Sequence, residues 1–224
     1  MKDAITAVFC DFDGTVTRRD VGYSLFHHFS DGKNDALLPD WISGRITTRE
    51  CLLREAQMIS TSKGEIHRFL DRFELDPGFP QFEGLCRSNG VDLIVVSDGL
   101  DFYIKHILKR FHLDYLPVIA NHGIVENGSI SIEFVHENRQ CRRCGSCKGE
   151  RIREYRSARG QASRIAFVGD GYSDACATKE ADIVLAKKDL ERFCLHNHIA
   201  YCKYNDFFDV ACKLNELGLG TVDS

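Results

Sequence analysis

The chain has 224 residues, of which 43% are hydrophobic and 28% charged, so it can bury a core and does not have the composition of a disordered segment. Its formal net charge at pH 7 is -4 and no strongly basic region stands out, which argues against nucleic acid as a partner. No apolar stretch approaches the length of about 18 residues that a membrane-spanning helix needs, and the N-terminal residues lack a secretion signal, so we expect a cytoplasmic protein without a membrane partner.

Four short apolar runs predict buried β-strands. They comprise residues 5–10, 91–96, 164–168 and 182–185, and the first three end in polar, glycine-containing sequence. Helical patterns alternate with them at residues 79–88, 100–111, 149–158 and 172–180. This alternation predicts an α/β fold, a doubly wound and mostly parallel sheet of the Rossmann-like kind, whose polar strand ends meet at one edge.

Residues 17–80 show almost no strand pattern. Apolar residues recur there at the spacings of amphipathic helices. We therefore predict an inserted helical cap over residues 17–80 and an α/β core formed by residues 1–16 and 81–224. Asn127-Gly128, placed between alternating residues, predicts a β-hairpin within that core.

Two pairs of aspartates follow predicted strands. Asp11 and Asp13 end the first run, and Asp170 and Asp174 follow the third. Carboxylates that converge at one sheet edge repel each other, and a divalent cation such as Mg²⁺, which prefers oxygen ligands, relieves that repulsion. Candidate donors for a bound phosphate are Ser97, the backbone amides at Asp98 and Gly99, and the ammonium of Lys148.

Four segments, in order, resemble the four motifs of the haloacid dehalogenase superfamily of phosphatases. They are residues 11–17 (DFDGTVT), 95–99 (VVSDG), 147–150 (CKGE) and 168–174 (VGDGYSD). The resemblance spans nearly the whole chain. It is greatest to the phosphoserine phosphatase-like branch, which includes methionine-salvage enolate phosphatases and phosphoethanolamine/phosphocholine phosphatases, and the helical insertion and the hairpin fit that branch.

The resemblance implies a Mg²⁺-dependent phosphatase that hydrolyses a small phosphate monoester in two steps. Asp11 would attack phosphorus to form an aspartyl phosphate, and Asp13 would protonate the leaving alcohol and then activate water. Asp11, the backbone carbonyl of Asp13, and Asp170 would hold Mg²⁺. The acid at position 13 favours phosphate monoesters, because resembling enzymes that cleave carbon–halogen or phosphonate bonds lack it.

The resemblance also implies how the phosphate is held. Ser97 and Lys148 would bind phosphoryl oxygens, and Asp174 would orient Lys148 or the water molecules on the metal. Asp98 stands where the related branch commonly has glycine, which keeps the backbone donor but adds a negative charge near the phosphate.

Two positions bear on the substrate. Asp20 matches a carboxylate that reads the substrate amino group in phosphoserine phosphatases, and it equally suits the N-cap of the following helix. Glu55 stands where those enzymes use an arginine to bind the serine carboxylate, which argues against phosphoserine and favours an amine or quaternary ammonium ester. A shift of one residue would place Arg54 there, although Arg45, Arg49 and Arg54 are better explained as solvated helix charges.

Cys141, Cys144 and Cys147 are evenly spaced immediately before the third motif. They could belong to a structural Zn²⁺ site if His136 or His122 supplied the fourth ligand. The alternative is a reduced or redox-sensitive loop that positions the motif lysine. The other seven cysteines lie in apolar or helical patterns and are expected to pack as small hydrophobes.

Two alternatives to hydrolysis stay open on the sequence alone. A phosphotransferase or mutase would pass the phosphoryl group to a sugar instead of water, and a non-catalytic module would bind a metabolite without turnover. The presence of every motif acid and of the lysine disfavours the binding module. A cap that closes over the site favours a small-molecule phosphate ester over a phosphoprotein as the partner.

Overall fold

The computed structural model describes residues 4–136, 138–159 and 163–219. Within these residues, seven strands form one sheet in the order β4-β3-β2-β1-β5-β6-β7. The strands are β1 (Ile5–Asp11), β2 (Asp92–Leu100), β3 (Val118–Glu126), β4 (Ser129–Glu133), β5 (Arg164–Gly169), β6 (Ile183–Ala186) and β7 (Cys202–Lys203). Neighbours pair in parallel except β3 and β4, which are antiparallel. The predicted doubly wound, mostly parallel α/β fold is confirmed.

The α-helices lie between and after these strands. They are α1 (Val21–Phe29), α2 (Leu38–Ile42), α3 (Thr48–Gln57), α4 (Lys63–Leu70), α5 (Phe79–Ser88), α6 (Asp101–Arg110), α7 (Lys148–Arg159), α8 (Lys188–His196) and α9 (Phe207–Glu216). Across the described residues, none of them combines the length and the apolar character needed to cross a membrane.

The central strand β1 is buried on both faces of the sheet. Val8 and Cys10 belong to the apolar cluster that contains Phe207 of α9, whereas Phe9, which points the opposite way, packs in a second cluster with Ile152 of α7. Such a strand needs apolar residues at every position, because alternate side chains point to opposite faces. This double burial leaves only the strand ends free for polar residues.

Turn chemistry confirms one local prediction and overturns another. Asn127 and Gly128 both have positive φ, 51° and 81°, as a two-residue hairpin between β3 and β4 requires. The helix predicted over residues 172–180 is wrong, because the chain forms two short turns, Tyr172–Asp174 and Ala177–Lys179. Side chains of this segment contact residues of other loops, as described below, and these contacts determine its backbone conformation in place of a helix.

The two segments that connect the insertion to the core lie side by side and are hydrogen-bonded to each other. The N–H of Asp76 donates to the carbonyl of Val16 at 2.8 Å, and the N–H of Arg18 donates to Glu74 at 3.2 Å. The apolar faces of α1 and α4 then join the cluster beneath the sheet, for example through Phe26. Helices α1 to α4 are thereby fixed beside the carboxyl ends of the strands, although the division into cap and core at residues 17 and 80 stays a prediction.

Candidate active site

The turn after β1 presents the first two aspartates. Asp11 ends the strand, and residues Phe12–Val16 form a tight turn in which Gly14 has a φ of 79°. A Cβ on Gly14 would lie 2.6 Å from Oδ2 of Asp170, so the close approach of the two loops requires glycine as well. Asp11 is buried and Asp13 is half-buried. Both carboxyl groups therefore reach the sheet edge at which they were expected.

Four donors fix the Asp13 carboxylate. Its Oδ1 accepts from the N–H groups of Val21 and Gly22, at 3.1 and 3.0 Å, at the start of α1. Its Oδ2 accepts from the hydroxyls of Ser97 and Tyr103, at 3.1 and 2.9 Å. Burial raises the pKa of Asp13, and these hydrogen bonds oppose the rise. An oriented carboxyl group with a raised pKa is suited to give and take a proton.

Lys148 is a buried cation between two carboxylates. It is the first residue of α7 and only 1% exposed. Its Nζ lies 2.5 Å from Oδ1 of Asp11, forms a second ion pair with Asp174, and lies 3.1 Å from the Ser173 hydroxyl. Burial favours the neutral amine, but Asp11 and Asp174 outweigh burial and raise the pKa of Lys148. The lysine therefore stays charged where a phosphoryl oxygen would need it.

The loop after β5 supplies the second aspartate pair. Asp170 accepts from the Thr15 hydroxyl at 3.1 Å and forms an ion pair with Nζ of Lys188 at 2.7 Å. Oδ2 of Asp174 accepts from the N–H groups of Asp170 and Gly171, both at 2.9 Å. Because its Oδ1 is held by the buried lysine, Asp174 has both oxygens engaged and acts on the site through that lysine.

Three carboxylates meet here at distances that a metal ion could span. One oxygen from each of Asp11, Asp170 and Asp174 lies within 4.8 Å of the other two. Burial raises the pKa of Asp11, Lys148 lowers it, and the charges of Asp174 and Asp170 raise it further. Asp174 is held by the buried Lys148 and by two backbone N–H groups, whereas Asp170 pairs with the exposed Lys188, so Asp11 and Asp170 are the carboxylates better placed to bind a cation. This set of hard oxygen donors fits Mg²⁺.

Ser97 and Asp98 follow from β2 at the same edge. The Ser97 hydroxyl accepts from the N–H of Gly99 at 2.9 Å. The carboxylate of Asp98 accepts from the N–H of Ser146 at 2.7 Å, and its carbonyl accepts from the amide of Asn121 at 2.7 Å. Burial raises the pKa of Asp98 to about 6, and the Ser146 donor opposes the rise. The carboxyl group that the second motif adds at Asp98 is therefore hydrogen-bonded to the loop that precedes α7.

A cavity of about 400 Å³ lies between the strand ends and the insertion. The motif residues Asp11, Asp13, Ser97, Asp98 and Asp170 line its core side. Apolar side chains of the insertion line the opposite wall, namely Phe26, Leu38, Trp41, Ile42 and Leu52. Asp20 and Glu55 interrupt this apolar wall. The structure thus brings both predicted substrate residues into the same space as the motif aspartates.

Asp20 is both a helix cap and a wall residue. Its carboxylate accepts from the N–H of Tyr23 at 2.8 Å at the start of α1. The surrounding protein, and then the charge of Asp13, raise the pKa of Asp20. Glu55, on α3, is buried and accepts from the side-chain amide of Asn34 at 3.2 Å. Burial raises the pKa of Glu55 to about 7.

The candidate arginines of the insertion do not face the cavity. Arg45 pairs with Asp40 at 2.5 Å, the guanidinium of Arg49 lies 4.5 Å from the ring centroid of Phe134, and Arg54 is exposed. Of the cavity-lining residues in the described part of the chain, none is an arginine. All three are exposed, as expected of solvated charges, although Arg45 lies on the turn between α2 and α3 and not on a helix.

Sequence reasoning missed several side chains that complete the site. They are Thr15, Tyr103, Ser173 and Lys188. Lys188 had a usable signal, because it closely follows the fourth predicted strand, whose carboxyl end lies at the same sheet edge. Tyr103 had none, because it occupies an apolar position in α6 and its hydroxyl finds Asp13 only after the fold has formed.

The cysteine loop also gains a partner that was not expected. Sulfur atoms of Cys141, Cys144, Cys147 and Cys176 all lie within 4.8 Å of one another. The fold thus brings Cys176, and neither His136 nor His122, to the three loop cysteines; Nδ1 of His122 lies instead 3.1 Å from a carboxylate oxygen of Asp101. The sequence placed Cys176 in a helical pattern, but its segment forms two short turns, and its sulfur lies with those of the loop cysteines.

The raised pKa of Glu55 predicts a pH-dependent stability. The group keeps its proton up to about pH 7 in the folded chain, against an ordinary value of 4.5, so the folded state binds more protons and Glu55 lowers stability as the pH rises between these values. We expect Glu55→Gln to gain stability relative to the wild type between pH 4.5 and pH 8, by at most about 3 kcal/mol. Urea denaturation at both pH values measures this gain. The exposed Glu133→Gln is the control, and an equal effect of Glu55→Gln at both pH values would contradict the prediction.

Comparisons with known proteins agree with this geometry. Residues 8–179 match the family model of the haloacid dehalogenase-like hydrolases. A 2-hydroxy-3-keto-5-methylthiopentenyl-1-phosphate phosphatase of Bacillus thuringiensis subsp. konkukian is 31% identical over 215 residues, which cover 94% of this chain and 96% of that relative. A protein of the same name from Brevibacillus brevis is 30% identical over 214 residues, 94% of this chain and 95% of the relative.

Solved structures show the same fold. A phospho-aspartyl intermediate analogue of phosphoserine phosphatase superposes with a TM-score of 0.71 at 18% identity, covering 94% of this chain and 98% of that one. A phosphoserine phosphatase from T. onnurineus superposes with a TM-score of 0.69 at 19% identity, covering 95% and 96%. Because the family model matches residues 8–179 and a relative named as a phosphatase is 31% identical over 94% of the chain, the chain belongs to the haloacid dehalogenase-like hydrolases and is a phosphatase.

Proposed function

We propose that this phosphatase is a Mg²⁺-dependent phosphomonoesterase that hydrolyses a small phosphorylated metabolite through an aspartyl phosphate. The observation that carries the proposal is the buried Lys148 bridging Asp11 and Asp174 beside a cavity of about 400 Å³. A cavity of this size suits a small-molecule ester. A cytoplasmic location accords with the ten cysteines, all of which are free.

The chain's own residues account for both chemical steps. Asp11, oriented by its ion pair with Lys148, attacks phosphorus, and Lys148 stabilises the charge on the phosphoryl oxygens. Asp13, held by its four donors, protonates the leaving alcohol and then takes a proton from the attacking water. Ser97 and the backbone amides at Asp98-Gly99 complete the set of phosphate donors.

Asp11, the carbonyl of Asp13, and Asp170 would hold Mg²⁺. The ion would neutralise carboxylate repulsion and developing phosphoryl charge. Lys188, which pairs with Asp170 in this structure, is 55% exposed in its side chain, so it can move away from that carboxylate at little cost. Asp174 would hold Lys148 rather than bind the ion directly, because its partners are a buried cation and two backbone N–H groups, which cannot move away as the exposed Lys188 can.

The residues of the cavity wall favour a substrate whose organic group is uncharged. The apolar residues of α1, α2 and α3 would contact a hydrocarbon or thioether chain. Glu55, whose burial raises its pKa to about 7, can donate a hydrogen bond to a hydroxyl or keto oxygen near neutral pH, and the exposed Asp20 can accept one from a hydroxyl. The ester for which the relatives are named, 2-hydroxy-3-keto-5-methylthiopentenyl 1-phosphate, has these features and is the first candidate.

A second candidate is an amine or quaternary ammonium phosphate ester. The observation that favours it is the pair of carboxyl groups, Asp20 and Glu55, on one wall without an arginine among the described cavity residues. A cationic head group on the substrate would favour the ionised form of both carboxyl groups and form ion pairs with them. The same absence argues against phosphoserine, whose carboxylate would have no cation to bind on this wall.

A substrate panel tests the proposal. We expect kcat/KM for the methylthiopentenyl ester to exceed that for phosphoethanolamine, phosphocholine and phosphoserine by roughly 10²-fold, with EDTA abolishing all turnover. Glu55→Gln should keep activity on the uncharged ester to within about tenfold, because its amide still donates and accepts hydrogen bonds. Arg54→Gln, on the exposed neighbour, is the matched control.

Each other outcome rules out a stated part of this proposal. A preference for the amines that Glu55→Gln removes would replace the uncharged substrate with the second candidate. Transfer of phosphate to an added sugar in place of water would make the enzyme a phosphotransferase. Turnover that survives EDTA would contradict the role assigned to Mg²⁺.

A further inference from the structure

Four cysteines outside the catalytic machinery converge from two distant parts of the chain. Cys141, Cys144 and Cys147 lie on the irregular loop between β4 and α7, and Cys176 lies between the two short turns that follow β5. Their four sulfur atoms all lie within 4.8 Å of one another. Cys144 and Cys147 are buried, and Cys141 and Cys176 are half-buried.

The spacing of these sulfurs matches a tetrahedral metal site. Zinc–sulfur bonds of about 2.3 Å place two ligands of a tetrahedron about 3.8 Å apart. The sulfurs of Cys141 and Cys176 are 3.9 Å apart. A disulfide would require about 2.05 Å, and all ten cysteines of the chain are free. Four packed thiols thus have the geometry of a metal site and not that of a cross-link.

Backbone donors are already directed at the sulfurs. The N–H of Cys144 donates to the sulfur of Cys141 at 3.4 Å, and the N–H of Glu150, in the first turn of α7, donates to the sulfur of Cys147. Such donors stabilise the thiolate form, which is the form that binds a metal. They would offset part of the net charge of -2 that four thiolates and one divalent ion carry.

A half-buried asparagine holds the loop in this shape. The side-chain amide of Asn138 donates to the carbonyls of Cys144 and Gly145, at 2.8 and 3.1 Å. Its side-chain oxygen accepts from the N–H of Cys147 at 3.0 Å. Three hydrogen bonds from one side chain fix the turn that carries the cysteines, so the ligands are positioned before any ion binds.

We propose that Cys141, Cys144, Cys147 and Cys176 together bind one Zn²⁺ ion as a closed structural site. Four protein ligands leave no position for substrate, which is the mark of a structural and not a catalytic zinc. Binding releases the thiol protons, forms four zinc–sulfur bonds and involves no change of oxidation state.

The ion would join the two loops that carry half of the phosphate site. Cys147 directly precedes Lys148, and Cys176 lies two residues beyond Asp174. The loops touch closely, since a Cβ on Gly149 would lie 2.6 Å from the carbonyl oxygen of Cys176. A zinc bridge at this contact would fix the distance between the lysine and the aspartate that holds it.

Metal analysis of the reduced full-length protein tests this proposal independently of activity. We expect one zinc ion per chain, and we expect Cys176→Ser to lose zinc as fully as Cys141→Ser does. The matched controls are Cys212→Ser, on an exposed cysteine, and His136→Gln, on the histidine first considered as a ligand; both should keep the full zinc content.

A second measurement does not depend on the variants folding. Co²⁺ exchanged into the wild-type chain should show the visible and near-ultraviolet absorption of a tetrahedral four-thiolate centre, and a mercurial reagent should release the metal in step with four thiols. Metal analysis that finds iron, full zinc retention by Cys176→Ser, or no metal bound after reconstitution with zinc would each overturn the proposal. None of these outcomes bears on the phosphatase activity, so the two proposals fail separately.

Discussion

Asp11→Asn is expected to lower kcat by on the order of 10⁴-fold or more while leaving the fold intact. The amide is a poor nucleophile, so no aspartyl phosphate can form at this position. The substitution changes the size of the side chain little, and it removes one of three buried carboxylates that lie within 4.8 Å of one another. Lys148 keeps its ion pair with Asp174, so no charge is left without a partner. Rates of phosphate release and urea denaturation of the same sample measure the two effects.

Asp76→Asn is the matched control for this variant. Asp76 is also a buried carboxylate, 6% exposed, but its side-chain oxygen accepts from the N–H groups of Gly78 and Phe207, and it contacts the first motif through its backbone N–H, which the substitution keeps. An asparagine can accept the same two hydrogen bonds, and kcat should stay within about threefold of the wild type. Substantial turnover by Asp11→Asn would remove the nucleophile from the proposed mechanism, and unfolding would show that the carboxylate is needed for structure.

The parts of this protein that could be predicted from sequence are those fixed by local pattern. The run that ends at Asp11 is apolar and buried from Ala7 to Cys10 because β1 is covered on both faces there, and this pattern placed the strand and the aspartates at its end correctly. The Asn127-Gly128 turn was predictable because few other residues adopt two successive positive φ values. In both cases neighbouring residues alone determine the structure.

The parts that could not be predicted depend on contacts between residues far apart in sequence. Cys176 lies in a segment whose periodicity resembles a helix, and only the fold shows that it meets Cys141 across 35 positions. Tyr103 reaches Asp13 across 90 positions in the same way. Local patterns carry no information about such pairs, because their partners are set by strand order and loop path.

Lys148→Met is expected to be the most destabilising substitution in the site. The methionine fills a similar volume but leaves the carboxylates of Asp11 and Asp174 buried without their cation. Removing one partner of a buried ion pair costs about 3–5 kcal/mol. Activity should also be lost, since no buried cation would remain beside the phosphoryl oxygens. The free energy of unfolding from urea denaturation measures the first effect, and phosphate release measures the second.

Two further variants test whether the loss of stability in Lys148→Met arises from buried carboxylates that have lost their cation. Lys188→Met removes the more exposed partner of Asp170, which still accepts from the Thr15 hydroxyl, so it should cost less stability than Lys148→Met, which deprives two buried carboxylates of their cation. The double variant Lys148→Met/Asp174→Asn removes one of the two orphaned carboxylates, so it should regain much of the stability lost by Lys148→Met while staying inactive. If the double variant is no more stable than Lys148→Met, the loss arises from packing at the start of α7. Lys148 would then be a structural residue, and the balance of buried charge on which the proposed attack by Asp11 depends would need another source.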